Sequence, residues 1–287
     1  MRARETLSLL FRSPMAVAAG VVLLVLIVTA LLGDVLAPHD ARATDVSARL
    51  QSPNAEHWFG TDELGRDVFS RVLLGAEVSL RVGAVAVGIS LLAGVLIGLT
   101  AGYYGRWVDD VLMRLSDVLF AFPAMLMAIA VLAILGPGST NAMIAIGIVY
   151  IPIFARITRA SVLSVREEVY VRAARSAGAG DLRIIGRHVL PNVTAPIIVQ
   201  TSISLAFAIL SEAALSFVGL GTQPPDPSWG RMLSEGRGFI EQAWWMAVFP
   251  GLAIFLTVLA FNVLGDALRD VLDPRQRSAM SGTGVTP

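Results

Sequence analysis

From Val118 to Ala155 the chain runs for 38 residues without an Asp, Glu, Lys or Arg. As one helix this stretch would measure about 57 Å at ~1.5 Å per residue, nearly twice the ~30 Å hydrocarbon core of a bilayer. The cluster Gly136-Pro137-Gly138-Ser139-Thr140-Asn141 reads as a turn that divides it into two spans. Four more apolar stretches accompany it, at Met15–Gly33, Val82–Gly105, about Pro196–Val218 and about Trp244–Gly265. With 15% charged residues in 287 and a mean hydropathy of +0.70, the chain reads as a polytopic membrane protein. Lipid offers backbone amides no partner, so each span must be a helix that satisfies itself. The expected fold is all-α with six transmembrane helices.

The first span reads as an uncleaved helix, because Pro38 directly after Val35-Leu36-Ala37 is a poor signal-cleavage context. Every one of the 22 basic residues is Arg, and their distribution orients the chain. The N-terminus, residues 103 to 117, residues 156 to 195 and the C-terminal tail hold 3, 2, 7 and 3 of them, 15 in all, against 7 on the other side. Basic residues stay inside during insertion, so both termini are expected in the cytoplasm. The expected organisation is a cytoplasmic segment 1–14, a first helix 15–37, an extracytoplasmic segment 38–80, a five-helix core 81–275 and a disordered tail 276–287. Within the second of these loops, Phe59–Arg71 reads as a short helix with Thr61 at its N-cap and Asp62 and Glu63 in its first turn.

Several activities are excluded or unsupported. Without Lys there is no G-x-x-x-x-G-K-[ST] phosphate loop, so the chain does not hydrolyse ATP by that route. Cys is absent as well, which removes disulfide and thiol chemistry. The net charge is zero and argues for no nucleic-acid partner. His39, His57 and His188 lie in separate loops without metal-ligand spacing, and there is no G-x-S-x-G nucleophile. Neither an enzyme nor a resident metal or cofactor is expected.

The informative loop is 156–195, whose centre reads YVRAARSAGAGDLRIIGRHVLPN. Glu167–Ala177 reads as a helix closed by Gly178, and Asp181–Leu190 as a second, with Asp181 as N-cap and Pro191 as stop. Ala173, Ala174, Ala177 and Gly178 present almost no side chain at the bend, so another protein's surface can approach the backbone closely. Arg172, Arg175, Arg183 and Arg187 could instead rest on anionic lipid, but a lipid-surface helix needs large apolar anchors.

This loop resembles the EAA loop of ABC importer permeases, Glu-Ala-Ala-x-x-x-Gly closed by an apolar residue, Leu and Pro. The match is Arg172-Ala173-Ala174-Arg175-Ser176-Ala177-Gly178 and then Val189-Leu190-Pro191-Asn192, with Arg172 standing where the family pattern has Glu. FGTDELGRDVFSR at Phe59–Arg71 and ALSFVGLGTQPPDPSWGRML at Ala214–Leu233 narrow the resemblance to the C-type permease of the dipeptide, oligopeptide and nickel importers, of the DppC/OppC kind. The resemblance implies a type I importer permease fold of the MetI kind. It also implies a B-type permease as partner, two cytoplasmic ATPase domains that bind ATP and Mg, and an external solute-binding protein. The loop would then be a coupling element, with Arg172, Ala173, Ala174, Arg175, Ala177, Gly178, Asp181, Leu190 and Pro191 as its docking residues. Peptide is the first expectation for the ligand, with nickel chelates or haem as alternatives.

Three further features bear on function. Gly94, Gly98 and Gly102 lie on one face of the second span in overlapping G-x-x-x-G steps, which in lipid favours close helix packing. Glu212 is the only acid well inside a span; it reads either as a pathway or gate residue or as a hydrogen-bonding structural acid. Gln200 and Ser204 belong to a mildly polar stripe that lines a wet path or bonds back to its own helix. A secondary transporter, the alternative class, should show several intramembrane charges and an inverted repeat, and neither is visible.

Overall fold

The computed structural model of the protein describes residues 9–11 and 13–272. The expected tail at 276–287 and the first eight residues lie outside them. Among the described residues there is no strand, and the spans are helices. Helix α1 is Pro14–Leu36, started by Ser13, whose hydroxyl accepts from the Ala16 amide, with Pro14 in the first turn where its missing N–H costs nothing. α2 is Val68–Tyr104, α3 Arg106–Phe120, α4 Ala124–Leu135, α5 Ser139–Val165, and α6 Val169–Ser176. α7 is the single turn Asp181–Ile184, α8 is Leu190–Phe217, α9 the short helix Trp229–Gly236 and α10 Trp245–Leu272.

Among the described residues, five helices are long and apolar enough to cross a membrane, and six spans result if α3 and α4 count together. That pair departs from expectation. The uncharged stretch 118–155 is broken twice, at Gly136–Gly138 and again at Ala121–Pro123, where α3 and α4 bend by 90°. Pro123 disfavours helical backbone at Phe122, and the 12 residues of α4 reach only about 18 Å, too short to span alone. α3 is amphipathic and charged, and Arg159 on α5 grips its Asp109 (Nη2–Oδ2 2.6 Å) while Arg156 grips its Asp117 at 2.7 Å.

Two other expectations are corrected. Phe59–Arg71 is not a helix: Thr61 sits in a buried turn and pairs with Asp67 in an isolated bridge, and the helix starts only at Val68. The cap is Asp67, which accepts from the Ser70 amide at 2.8 Å and so satisfies a first-turn donor that Thr61 does not reach. Nor is Pro191 a stop. Asp181–Phe217 runs as one 37-residue helical stretch, because Ile185–Val189 forms a π turn whose wider i→i+5 bond, Leu190 N–H to the Ile185 carbonyl, opens the ladder where proline lacks a donor. Asp181 is consequently the first helical residue, one beyond the cap at Gly180.

The core is formed where α2, α5 and α8 meet, with Val82, Ala86, Ile146, Phe154 and Leu215 fully buried. α1 lies outside against α2 and α10 and stays largely exposed. The bundle has two functional ends. One carries the C-terminus of α2, α6 and α7; the other carries residues 37–67, the N-terminus of α2, and α9.

Candidate functional site

At the first end, α6 is closed by a Schellman cap. The Ala179 amide bonds the Ala174 carbonyl at 3.1 Å and the Gly178 amide the Arg175 carbonyl at 3.0 Å, with Gly178 at φ +81°. A side chain at Gly178 would meet nothing within 4 Å, so the cap projects into open space. Arg172, Ala173, Arg175, Ala177, Gly178, Asp181 and Pro191 are exposed, while Ala174 and Leu190 are half-buried. Leu182 joins the outer surface at 85% exposed. Beneath, Val171, Ile184 and Val189 are buried and pack the segment onto the bundle. Arg172 makes no ion pair among the described residues.

The segment is also tied to α2 by polar contacts that sequence reasoning missed. The Tyr103 hydroxyl donates to the Asp181 carboxylate at 2.7 Å, and the Arg175 guanidinium lies 5.4 Å over the Tyr103 ring. The Tyr103 hydroxyl holds the Arg175 guanidinium still more firmly charged. From the end of α5, Arg166 donates to the Gly102 carbonyl at 2.7 Å, one of the α2 terminal carbonyls left without a helical partner. Only the proximity of Tyr103 to a basic loop hinted at this in the sequence.

The same end of α2 is clamped on α5. A Cβ at Gly94 would fall 2.5 Å from Phe154 Cβ, one at Gly98 2.5 Å from the Ala155 carbonyl oxygen, and one at Gly102 2.8 Å from Val162 Cβ. The three glycines therefore form the seam along which the helix leading into α6 contacts α2.

At the opposite end of α8, Glu212 is fully buried, and its acceptors are filled by hydroxyls from three places. Ser216 donates at 2.7 Å, Ser79 of α2 at 3.3 Å and Thr222 of the following loop at 3.4 Å. The carboxyl thus joins α8, α2 and the 218–228 loop. Gln200 donates to Ser204 on its own helix at 3.0 Å. Ser204 is buried, whereas Gln200 lines an open groove of about 470 Å³ with Ile157, Pro196, Val199 and Arg269.

Beyond Glu212 the fold brings the two remaining motifs together. Glu235 of α9 accepts from Arg71 at 2.9 Å, Arg66 at 3.1 Å and Arg231 at 2.9 Å, and Asp62 binds Arg66 at 2.6 Å. Trp229 donates to the Val72 carbonyl and Trp245 to the Thr61 carbonyl, both at 3.0 Å. Burial raises the Glu63 carboxyl above the ordinary range. The contacts of Arg66 and Arg71 with Glu235, of Trp229 with Val72 and of Trp245 with Thr61 each join residues more than 150 apart in sequence, so no local signal pairs them.

An all-α bundle with a projecting, backbone-exposed helical cap at one end and a charge-locked loop layer at the other has the architecture of a multi-pass transport permease. The chain belongs to the family described as the binding-protein-dependent transport system inner membrane component, which matches residues 94–278; residues 2–53 match the N-terminal TM domain of oligopeptide transport permease C. It is 49% identical, over 96% of its length and 90% of the relative's, to the dipeptide transport system permease protein DppC of Alkalihalophilus pseudofirmus. It is 48% identical to the glutathione transport system permease protein GsiD of Pectobacterium atrosepticum, over 96% of this chain and 92% of that one. Among solved structures, the fold is similar to the MetNI methionine ABC transporter in an inward-facing conformation, with TM-score 0.55 and 18% identity over 70% of this chain and 96% of that chain. An amino acid ABC transporter with histidines superposes with TM-score 0.54 at 17% identity, covering 70% of this chain and 94% of that one. The chain is thus a multi-pass inner-membrane permease subunit.

Proposed function

We propose that this chain and a second, B-type permease together form the path of an ATP-driven importer for dipeptides or oligopeptides. A solute-binding protein delivers the ligand, and two cytoplasmic ATPase domains hold ATP and Mg. The substrates in the names of the relatives above, dipeptide and glutathione, support the peptide class. Both termini and the 156–195 loop face the cytoplasm of a bacterial cell, a reading that rests on the arginine asymmetry.

The observation that carries the reading is the capped knob of α6, exposed at Gly178 but anchored behind. An ATPase groove closing on this knob moves a body that cannot slide independently of the bundle. Asp181 pulls on Tyr103 of α2, Arg166 on the Gly102 carbonyl, and the stretch from Asp181 to Glu212 transmits the displacement as a helical lever of roughly 46 Å. Glu212 carries it into the loop layer that meets the binding protein. Arg172 sets the partner's charge: where other members present Glu, this chain presents a cation, and its ATPase should offer an acid there.

Gly178 provides the test. Any side chain there costs about 1 to 2 kcal/mol at positive φ, too little to unfold the chain. Gly178→Trp adds bulk to the knob's outer face, so it should abolish coupled transport or release the ATPase, while Gly178→Ala retains most activity and both assemble with the second permease. Wild-type transport by the Gly178→Trp complex with ATPase fully bound refutes the docking role.

A further inference from the structure

The three histidines are far apart in sequence, but the fold draws two of them to one carboxylate. His57 Nδ1 lies 3.0 Å from Asp67 Oδ1, and His39 Nδ1 lies 3.8 Å from Asp67 Oδ2. The imidazole rings are 4.8 Å apart between centroids, and one donor atom from each of the three residues falls within 4.8 Å of the others. We propose that His39, His57 and Asp67 form a site for a borderline divalent transition metal of the Zn²⁺ class, on the face of the bundle opposite the α6 knob.

Three observations carry this. His39 Nδ1 is buried and has no hydrogen-bond partner in the protein, although it is aimed at the carboxylate; a buried imidazole nitrogen without a protein partner calls for an explanation. The donor set is two imidazoles and one carboxylate, the chemistry of open zinc sites. The spacing also fits. With metal–ligand bonds of about 2.0–2.1 Å, tetrahedral donors stand about 3.3 Å apart; His57 Nδ1 stands 3.0 Å from Asp67 Oδ1, and one donor atom from each of the three residues lies within 4.8 Å of the others.

The donors are held in place from behind. Asp67 Oδ2 accepts from the Ser70 amide and hydroxyl at 2.8 and 2.7 Å, which fixes the carboxylate and leaves Oδ1 to face His57. The His39 amide donates to the same Ser70 hydroxyl oxygen at 3.2 Å. The His57 amide donates to the Asn54 side-chain oxygen at 2.8 Å. Such contacts hold the ligand-bearing backbone and the carboxylate in position. The Asp67 side chain is 1% exposed and that of His57 11%, whereas His39 at 34% leaves an entry and a fourth position for water. Bound metal would staple the chain after α1 and the 51–60 loop to the first turn of α2, stiffening the layer in which Asp62, Arg66, Arg71 and Glu235 are locked.

The test uses the full chain purified in detergent, titrated with Co²⁺ as a spectroscopic probe and with Zn²⁺ in competition. One equivalent of Co²⁺ should bind with the visible absorption of a four-coordinate site, displaced by Zn²⁺. His39→Gln, at the most exposed ligand, and His57→Gln should each weaken binding by more than ~10-fold, while His188→Gln, a histidine outside the cluster, should leave it unchanged. Asp67 is avoided because its loss also uncaps α2. Failure of the wild-type chain to bind one equivalent, or equal binding by His39→Gln, His57→Gln and wild type, overturns the site and leaves a hydrogen-bonded capping network. If His39→Gln and His57→Gln melt with the wild-type profile without metal, their lost binding reports the ligands and not misfolding.

Discussion

Gly98→Ala is a one-carbon change that should loosen this bundle. The new Cβ would lie 2.5 Å from the Ala155 carbonyl oxygen, 2.6 Å from Thr158 Cβ and 3.0 Å from the Arg159 amide nitrogen. Two of these three are backbone atoms of α5 and cannot rotate away. Ordinary contact starts near 3.4 Å, so α2 and α5 must part by roughly 0.9 Å, enough to forfeit about half of the dispersion well of each contact along the seam. Overpacking of this kind costs about 1–3 kcal/mol, against a gain of ~0.8–1 kcal/mol for placing Ala instead of Gly in a helix. Gly88 on the same helix supplies the control, since a Cβ there meets nothing within 4 Å and only the gain applies. The two variants should therefore differ by about 1–3 kcal/mol, the overpacking term alone. Thermal unfolding of the chain purified alone in detergent, followed by circular dichroism, reads that gap. Equal melting of Gly98→Ala and Gly88→Ala would show that the seam yields freely, and the close-approach argument would be wrong.

At Glu212, Gln keeps an acceptor and a donor for the three hydroxyls, whereas Leu strands Ser79, Ser216 and Thr222. Glu212→Leu should lose about 1–3 kcal/mol per stranded group that stays dry, and Glu212→Gln should transport almost normally; equal loss of transport in both, with normal melting, would make the charge itself necessary. Glu235→Ala leaves Arg71, 1% exposed, without its nearest carboxylate and should destabilise by about 3–5 kcal/mol, with limited proteolysis opening first in residues 37–67; unchanged protease resistance contradicts this. For orientation, cysteines at Ser139 and Gln223 should react with an impermeant reagent on intact cells, and one at Ser176 should not; the reverse pattern inverts the topology.

The sequence by itself determined the helical, multi-pass class, because uncharged runs longer than a bilayer is thick admit few other solutions. It also marked the α6 cap, since Gly178 after a short helix is a local signal read within a few residues, and the spacing of Gly94, Gly98 and Gly102 marked a face of close approach. Local signals failed where a neighbour outvoted them. Thr61 has the composition of a helix cap, yet it is buried in a turn while Asp67 takes the cap, because the segment is held down by Trp245 and by the Arg66 and Arg71 cluster. Pro191 has the look of a stop, yet the π turn before it carries the helix through. Which helix the glycines meet, which tyrosine anchors Asp181, and which hydroxyls surround Glu212 depend on groups up to 133 residues apart in the chain. Only the tertiary structure decided them, since burying a charge or a backbone surface requires a partner, and a partner supplied by folding leaves no trace at the site it serves.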